Sequence, residues 1–106
     1  MASIEDFKKL DIRVARVLEV RDHPNADKLL LLKIDTGEKQ KQIVAGIKNF
    51  YTKEDLPGKQ IVIVDNLEAA VIRGEISEGM LLAAQGRQAI FVLIPDGPVE
   101  VGSKIR

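Results

Sequence analysis

The only histidine, His23, lies beside Asp22 and near Asp27, and a His–carboxylate couple could activate the hydroxyl of Ser77 if folding brought the three together. No serine or cysteine neighbours it in sequence, and the simpler reading is a half-exposed turn histidine. The carboxylate pairs Glu5-Asp6 and Glu54-Asp55 are adjacent residues that do not face each other, so both read as solvated helix starts. Gly74 to Gly79 lacks the Lys-Ser/Thr of a phosphate-cradling loop. The chain has no cysteine, hence no disulfide, thiolate zinc site or thiol nucleophile, and one histidine cannot build a multi-histidine metal site. No catalytic residue, metal or cofactor is expected.

Binding chemistry is better represented. Lys28, Lys33, Lys39, Lys41, Lys48, Lys53 and Lys59 fill the middle of the chain, and Arg73 and Arg87 follow. On alternating strands some of these would project from one side of a sheet as a track for phosphates. The competing reading is an ordinary solvated, salt-bridged strand face. Aromatic side chains that could stack on bases are scarce. Phe7 and Phe91 are expected in the core and Phe50-Tyr51 half exposed, so RNA would be recognised by shape and backbone rather than as an unpaired sequence.

The elements that must carry these side chains are short. Ser3 followed by Asp6 reads as the cap of one short helix with Phe7 and Leu10 on its inner face. From Asp11 to Arg21 the period becomes two, with Ile12, Val14, Leu18 and Val20 on the face to be buried and Arg13, Glu19 and Arg21 opposite. A strand that long commonly curls and serves both sides of a barrel's closure. His23-Pro24-Asn25-Ala26-Asp27 is a turn, and strands are expected over Leu29 to Asp35, Lys41 to Ala45, Gln60 to Val64 and Ala89 to Ile94. Ile47 to Tyr51 reads as a helical turn, Val71 to Arg73 as a short strand, and Gly74 to Gly79 as a loop before the apolar Met80 to Gln85. The tail Val99 to Arg106 alternates again. Short strands at this spacing predict an all-β barrel or sandwich, with residues 1–106 forming one domain.

Charge is the awkward feature. Sixteen basic residues meet sixteen acidic ones, whereas a nucleic-acid binder usually carries an excess of Lys and Arg. If RNA is the partner, the charges must be segregated by face. The longest apolar runs are too short to span a bilayer, and the N-terminus lacks the basic start and apolar stretch of a signal peptide, so a cytoplasmic location without a membrane partner is expected.

Asp11-Ile12-Arg13-Val14 and His23-Pro24-Asn25-Ala26-Asp27-Lys28-Leu29 closely resemble the opening of the tRNA-binding domain family. The likeness continues through Lys41 to Ile47, Asn66-Leu67, Arg73-Gly74, Ser77 to Ala84, and Leu93-Ile94-Pro95 with Pro98 and Gly102 to Ile105. That family includes the C-terminal domain of many methionyl-tRNA synthetases and stand-alone structure-specific tRNA-binding proteins. The resemblance implies a five-stranded oligonucleotide-binding (OB) barrel with a short N-terminal helix and extra C-terminal strands. It implies a non-catalytic module that binds tRNA with little sequence preference and assists the methionyl-tRNA synthetase catalytic region, in cis or in trans. It also implies a homodimer in which N- and C-terminal segments meet across a two-fold axis. The RNA-facing positions it marks are Asn25, Lys28, Lys33, Lys41, Gln42, Arg73, Ser77 and Met80. Lys41 stands where the family most often has Arg, and Ala45 where it often has Ser. The alternatives are an export-related chaperone on the same barrel, binding unfolded polypeptide in an apolar dimer groove, and a small hydrolase using His23.

Overall fold

The computed structural model describes residues Met1–Arg106. Its organising element is strand β1 (Ile12–Asp22), which has three neighbours along two edges. On one edge Ile12 to Arg16 pair antiparallel with β4 (Gln60–Val64). On the other, Arg16 to Asp22 pair with β2 (Leu30–Asp35). The stretch that β2 leaves open is taken by the C-terminal tail. There the Val14 N–H donates to Ser103 O (2.9 Å), the Gly102 N–H to Val14 O (2.7 Å) and the Ile105 N–H to Ile12 O (2.9 Å). An edge that would otherwise expose unpaired amides is thereby covered, which is how a strand of eleven residues is used in full.

The strand β2 turns into β3 (Gln40–Ala45), and β4 pairs with the short β7 (Met80–Leu81). The order β3-β2-β1-β4-β7 makes a nearly closed five-stranded barrel of the expected oligonucleotide-binding type. Two hairpins are added to it: β5 (Ala70–Ile72) with β6 (Glu75–Ser77), and β8 (Ala83–Gln85) with β9 (Ile90–Val92). The turn between β2 and β3 packs directly on the tail. Gly37 and Gly102 both have φ near +90°, and a Cβ on either would lie 2.8 Å from a carbonyl oxygen of the facing segment, so only glycine fits.

Alternation along β1 fails in an instructive way. Ala15 and Val17 point into the barrel, whereas Ile12 joins Val62 and Val64 in a second cluster outside it, covered by Leu82. A bulge between Val17 and Glu19 then shifts the phase, leaving Leu18 partly exposed and returning Val20 toward the interior. The even-position rule thus merges two different buried faces. The run Gln60 to Val64 has the same cause: Ile61 and Ile63 face inward, and Val62 and Val64 face the outer cluster. The main core is completed by Leu30, Leu32, Ile34, Ile43, Ile47 and Leu56.

The helix α1 (Ile4–Lys8) is capped as expected: Ser3 Oγ accepts the Asp6 N–H while Asp6 accepts the Ser3 N–H. Phe7 and Leu10, however, remain substantially exposed, since the helix lies on the barrel's outside. Phe91 is also a correction. It is 62% exposed because Ile90 and Val92 are the β9 residues that turn toward the core and leave it pointing outward. Gly74 to Gly79 is half strand rather than loop, residues 47–51 form turns without a helix, and the tail contributes one bridge, Arg13 to Lys104, rather than a strand.

Between β3 and residues 77–79 the barrel is closed by side chains. Ser77 Oγ accepts the Val44 N–H (3.0 Å) and donates to Gly79 O (3.0 Å). The Gln42 N–H reaches Glu78 Oε1 (3.1 Å), and the Glu78 N–H reaches Gln42 O (2.8 Å). Lys41 Nζ donates to Asp65 Oδ1 (2.8 Å), to Asp65 O (2.9 Å) and to Glu78 O (3.4 Å), fastening β3 to the end of β4. The Lys41 and Asp65 side chains are only 11% and 13% exposed, so removing one partner strands a charge. Asp65→Ala is expected to lower unfolding free energy by about 2–4 kcal/mol in a urea titration, and Lys41→Met with Asp65→Leu by clearly less. Equal losses for the single and double variants would contradict a paired role for Lys41.

Candidate nucleic-acid interface

The outer surface of β1, β2 and β3 is set by register. Glu19 lies opposite Lys33, which lies opposite Gln42, while Arg21 lies opposite Leu31. Past the bulge, Glu19 and Arg21 share this face with Lys33 and border a depression of about 340 Å3, with Gln40, Gln42 and Glu78 on its far side. Arg21 donates to Gln42 Oε1 (3.4 Å), and the Gln42 amide nitrogen donates to Ile76 O (2.9 Å) and to Glu75 Oε1 (3.2 Å). One glutamine therefore ties the barrel face to the hairpin β5–β6.

The other strand of that hairpin, with its turn, meets the turn after β1. Arg73 and Gly74 form its two-residue loop with φ of +54° and +92°, the doubly left-handed conformation that suits a tight hairpin. Asn25 Nδ2 donates to Arg73 O (3.3 Å) and the Arg73 guanidinium donates to Asn25 O (3.3 Å). His23 stands behind this contact. It is buried rather than half exposed, accepting the Asn25 N–H at Nδ1 (2.9 Å) and donating from Nε2 to Ile72 O (2.9 Å). With both ring nitrogens and the Ser77 hydroxyl occupied by backbone partners, no His–Ser couple forms, which removes the geometric basis for a hydrolase.

The eight positions singled out in the sequence fall into three groups. Lys33, Gln42 and, with its amine turned to Asp65, Lys41 border the depression; Asn25 and Arg73 hold each other at the hairpin turn; Lys28 is exposed on the same turn as Asn25. Lys41 and Ser77 are internal fasteners of the barrel seam, with their polar atoms spent on Asp65, Val44 and Gly79. Met80 is 47% exposed, beside Val44, Ala45 and Ile47 in a separate, mostly apolar depression. Arg21 was not singled out, although its place opposite the first apolar face marked it as solvent-directed. No local signal marks Glu75 or Glu78, whose partners lie more than thirty residues away in sequence.

The sorting of charge is partial. Lys48 (3.3 Å) and Lys53 (3.1 Å) both pair with Asp22, and the Lys53 hydrogen bond, followed by that of Lys48, holds the Asp22 carboxyl below its ordinary range against desolvation. Arg13 is tied to Asp11 at 2.9 Å, and that bond raises its affinity for its proton. Lys59 lies in a different depression, next to Arg16. Arg21, Lys28, Lys33 and Arg73 make no ion pair, so these four cations keep their charge for a ligand. Tyr51 is half buried with its hydroxyl accepting the Val92 N–H (3.0 Å), leaving Phe50 as an exposed aromatic in that loop.

The family model described as "Putative tRNA binding domain" matches residues 12–104. A methionine–tRNA ligase of Nanoarchaeum equitans is 49% identical over 106 residues, all of this chain and 14% of that protein. One from Thermotoga maritima is 48% identical over 103 residues, 97% of this chain and 16% of that protein. The chain thus spans about a seventh of the length of these relatives. Among solved structures, a MetRS related protein from Pyrococcus horikoshii superposes with a TM-score of 0.93 at 27% identity, covering 100% of this chain and 98% of that one. The chaperone CsaA from Bacillus anthracis str. Ames gives 0.91 at 35% identity, covering 100% and 99%. Taken with the barrel and its seam, these likenesses make the chain a member of the tRNA-binding domain family.

Proposed function

We propose that residues 1–106 act as one tRNA-binding domain that grips the sugar–phosphate surface of folded tRNA with little sequence preference. The observation that carries this reading is that Arg21 and Lys33 border the Gln42 depression without an ion pair, with Arg73 and Lys28, also unpaired, at the hairpin turn and the turn it meets. These cations neutralise phosphates, and Asn25 and Gln42 offer amides to ribose or phosphate oxygens. Lys41 and Ser77 act from behind by fixing the seam, and Met80 gives a soft apolar contact at the margin. The module works by binding alone, without metal or cofactor, in the cytoplasm beside the catalytic region of a methionine–tRNA ligase. Tethering helps because a weak second contact becomes intramolecular, at an effective concentration on the order of millimolar for a short linker.

A homodimer belongs to the same proposal. Phe91, Leu93 and Ile94 are exposed on the C-terminal addition, and Ile4, Phe7 and Leu10 on the N-terminal one, and these apolar side chains are candidates for burial against a second copy. The expected mass in sedimentation equilibrium is that of two chains, and Phe91→Lys should shift it toward one. A wild-type mass of a single chain at high micromolar concentration would exclude this pairing.

The likeness to solved chaperone chains at 35% and 38% identity supports a second reading, capture of unfolded polypeptide on the apolar surface. Titration against bulk tRNA and against a denatured protein separates the two. With about four phosphates neutralised, tRNA affinity should fall roughly a hundredfold between about 50 and 200 mM salt. Lys33→Glu should weaken it severalfold and flatten the salt slope by about one while leaving the unfolding midpoint unchanged. Binding indifferent to both salt and Lys33→Glu, alongside salt-insensitive capture of the denatured protein, would favour the chaperone reading.

A further inference from the structure

We infer that His23 is a positioning residue for the RNA-binding surface, its neutral ring strapping the hairpin β5–β6 onto the turn that carries Asn25, so that tRNA affinity falls when the ring is protonated. The inference rests on the tRNA-binding reading above. Little apolar packing holds this hairpin: Val71 and Ile76, directly opposite each other, are 72% and 52% exposed, and Ser77 is its only buried residue. Polar bonds hold it instead, from Gln42 to strand β6 and from His23 and Asn25 to the end of β5 and the turn that follows it.

The partners of the imidazole fix its protonation state. Nδ1 faces a backbone N–H, that of Asn25, and must accept; Nε2 faces a carbonyl, that of Ile72, and must donate. Only the neutral Nε2–H tautomer satisfies both. Adding a proton places a second N–H on Nδ1 against the Asn25 N–H, so the buried imidazole and that amide present two donors to each other and their bond is lost. The turn loosens where Asn25 and Arg73 grip each other, and both leave the geometry that presents them to RNA.

Charged groups on the surrounding elements do not relieve this. Asp22 is engaged by Lys48 and Lys53, the Arg73 guanidinium by Asn25 O, and Glu75 by Gln42. Asp27 and Lys28 of the same turn are exposed and make no ion pair with the ring. Histidine is the side chain that ordinarily changes charge between about pH 5 and 8, and this chain has only one.

The test is a titration of the full chain with bulk tRNA at fixed ionic strength from pH 8 to 5.5, for wild type and His23→Asn. Asparagine places an acceptor oxygen near the Nδ1 position but cannot titrate. Wild type should lose about threefold to tenfold in affinity on acidification, and His23→Asn, which lacks the donor to Ile72 O, should already bind severalfold more weakly than wild type at pH 8 and lose no more on acidification. Nitrogen-15 spectra of the single wild-type imidazole add a readout that needs no variant. They should show the Nε2–H tautomer at pH 8, titrating with the same midpoint as affinity. Wild-type affinity that is flat or rises as pH falls would overturn the inference, as would an Nδ1–H tautomer or a His23→Asn profile that copies wild type. Absence of tRNA binding at pH 8 would instead overturn the functional reading beneath it.

Discussion

A five-stranded sheet becomes a barrel only if its first and last edges find partners, and here that closure depends on one seam. The β3 edge and residues 77–79 are too irregular for a ladder, so Ser77, Gln42, Glu78 and Lys41 provide the missing bonds. The consequences spread outward. With Lys41 clamped to Asp65, β4 and β3 cannot separate; with Gln42 anchored to Glu75 and Ile76, the added hairpin must lie across the barrel's outer face. The residues that close the barrel therefore also shape the surface offered to a ligand. A polar seam of this kind tolerates no half measures, because an unpaired member would leave a desolvated donor or charge behind.

Net charge is a poor guide to such a molecule. Zero overall conceals cations in different settings. Some are ion-paired: Arg13 with Asp11, Lys41 with Asp65, and Lys48 and Lys53 with Asp22. Others have no ion pair, among them Arg16, Lys59 and Arg87 elsewhere and Arg21, Lys28, Lys33 and Arg73 around Gln42 and the Arg73 turn, where the acidic neighbours Glu75 and Glu78 are directed elsewhere. Glu78 accepts a backbone amide and Glu75 a side-chain amide. Only Glu19, opposite Lys33 in register and without an ion pair to it, shares the depression as an uncommitted acid. On this face carboxylates are bound into the framework rather than excluded.

How much of this was legible in the sequence follows from the range of the interactions involved. The Ser3–Asp6 cap is a contact over three residues and was readable as such, as was β4 from its apolar run. The barrel itself followed from strand count, spacing and family likeness. The face of each β1 residue was not legible, since a bulge and a second outer cluster overwrite simple alternation. The hairpin β5–β6 was half seen because its strands have three residues each and arginine occupies a left-handed turn position where asparagine or glycine usually signals the motif. The division of the marked residues into surface and scaffold was hidden, because Asp65, Glu75, Val44 and Ile72, which hold Lys41, Gln42, Ser77 and His23, lie 24 to 49 residues away from them.

The central claim is that RNA lies on the outer face of β1, β2 and β3 and along the Arg73 turn, leaving the apolar β8–β9 side free. The most direct measurement is a map of amide chemical-shift changes on adding bulk tRNA at low salt. The account expects the largest changes at Arg21, Asn25, Lys28, Lys33, Gln42 and Arg73, with β8 and β9 little affected. Changes concentrated at Ala84, Phe91 and Leu93, with the Lys33 and Gln42 amides unmoved, would contradict it.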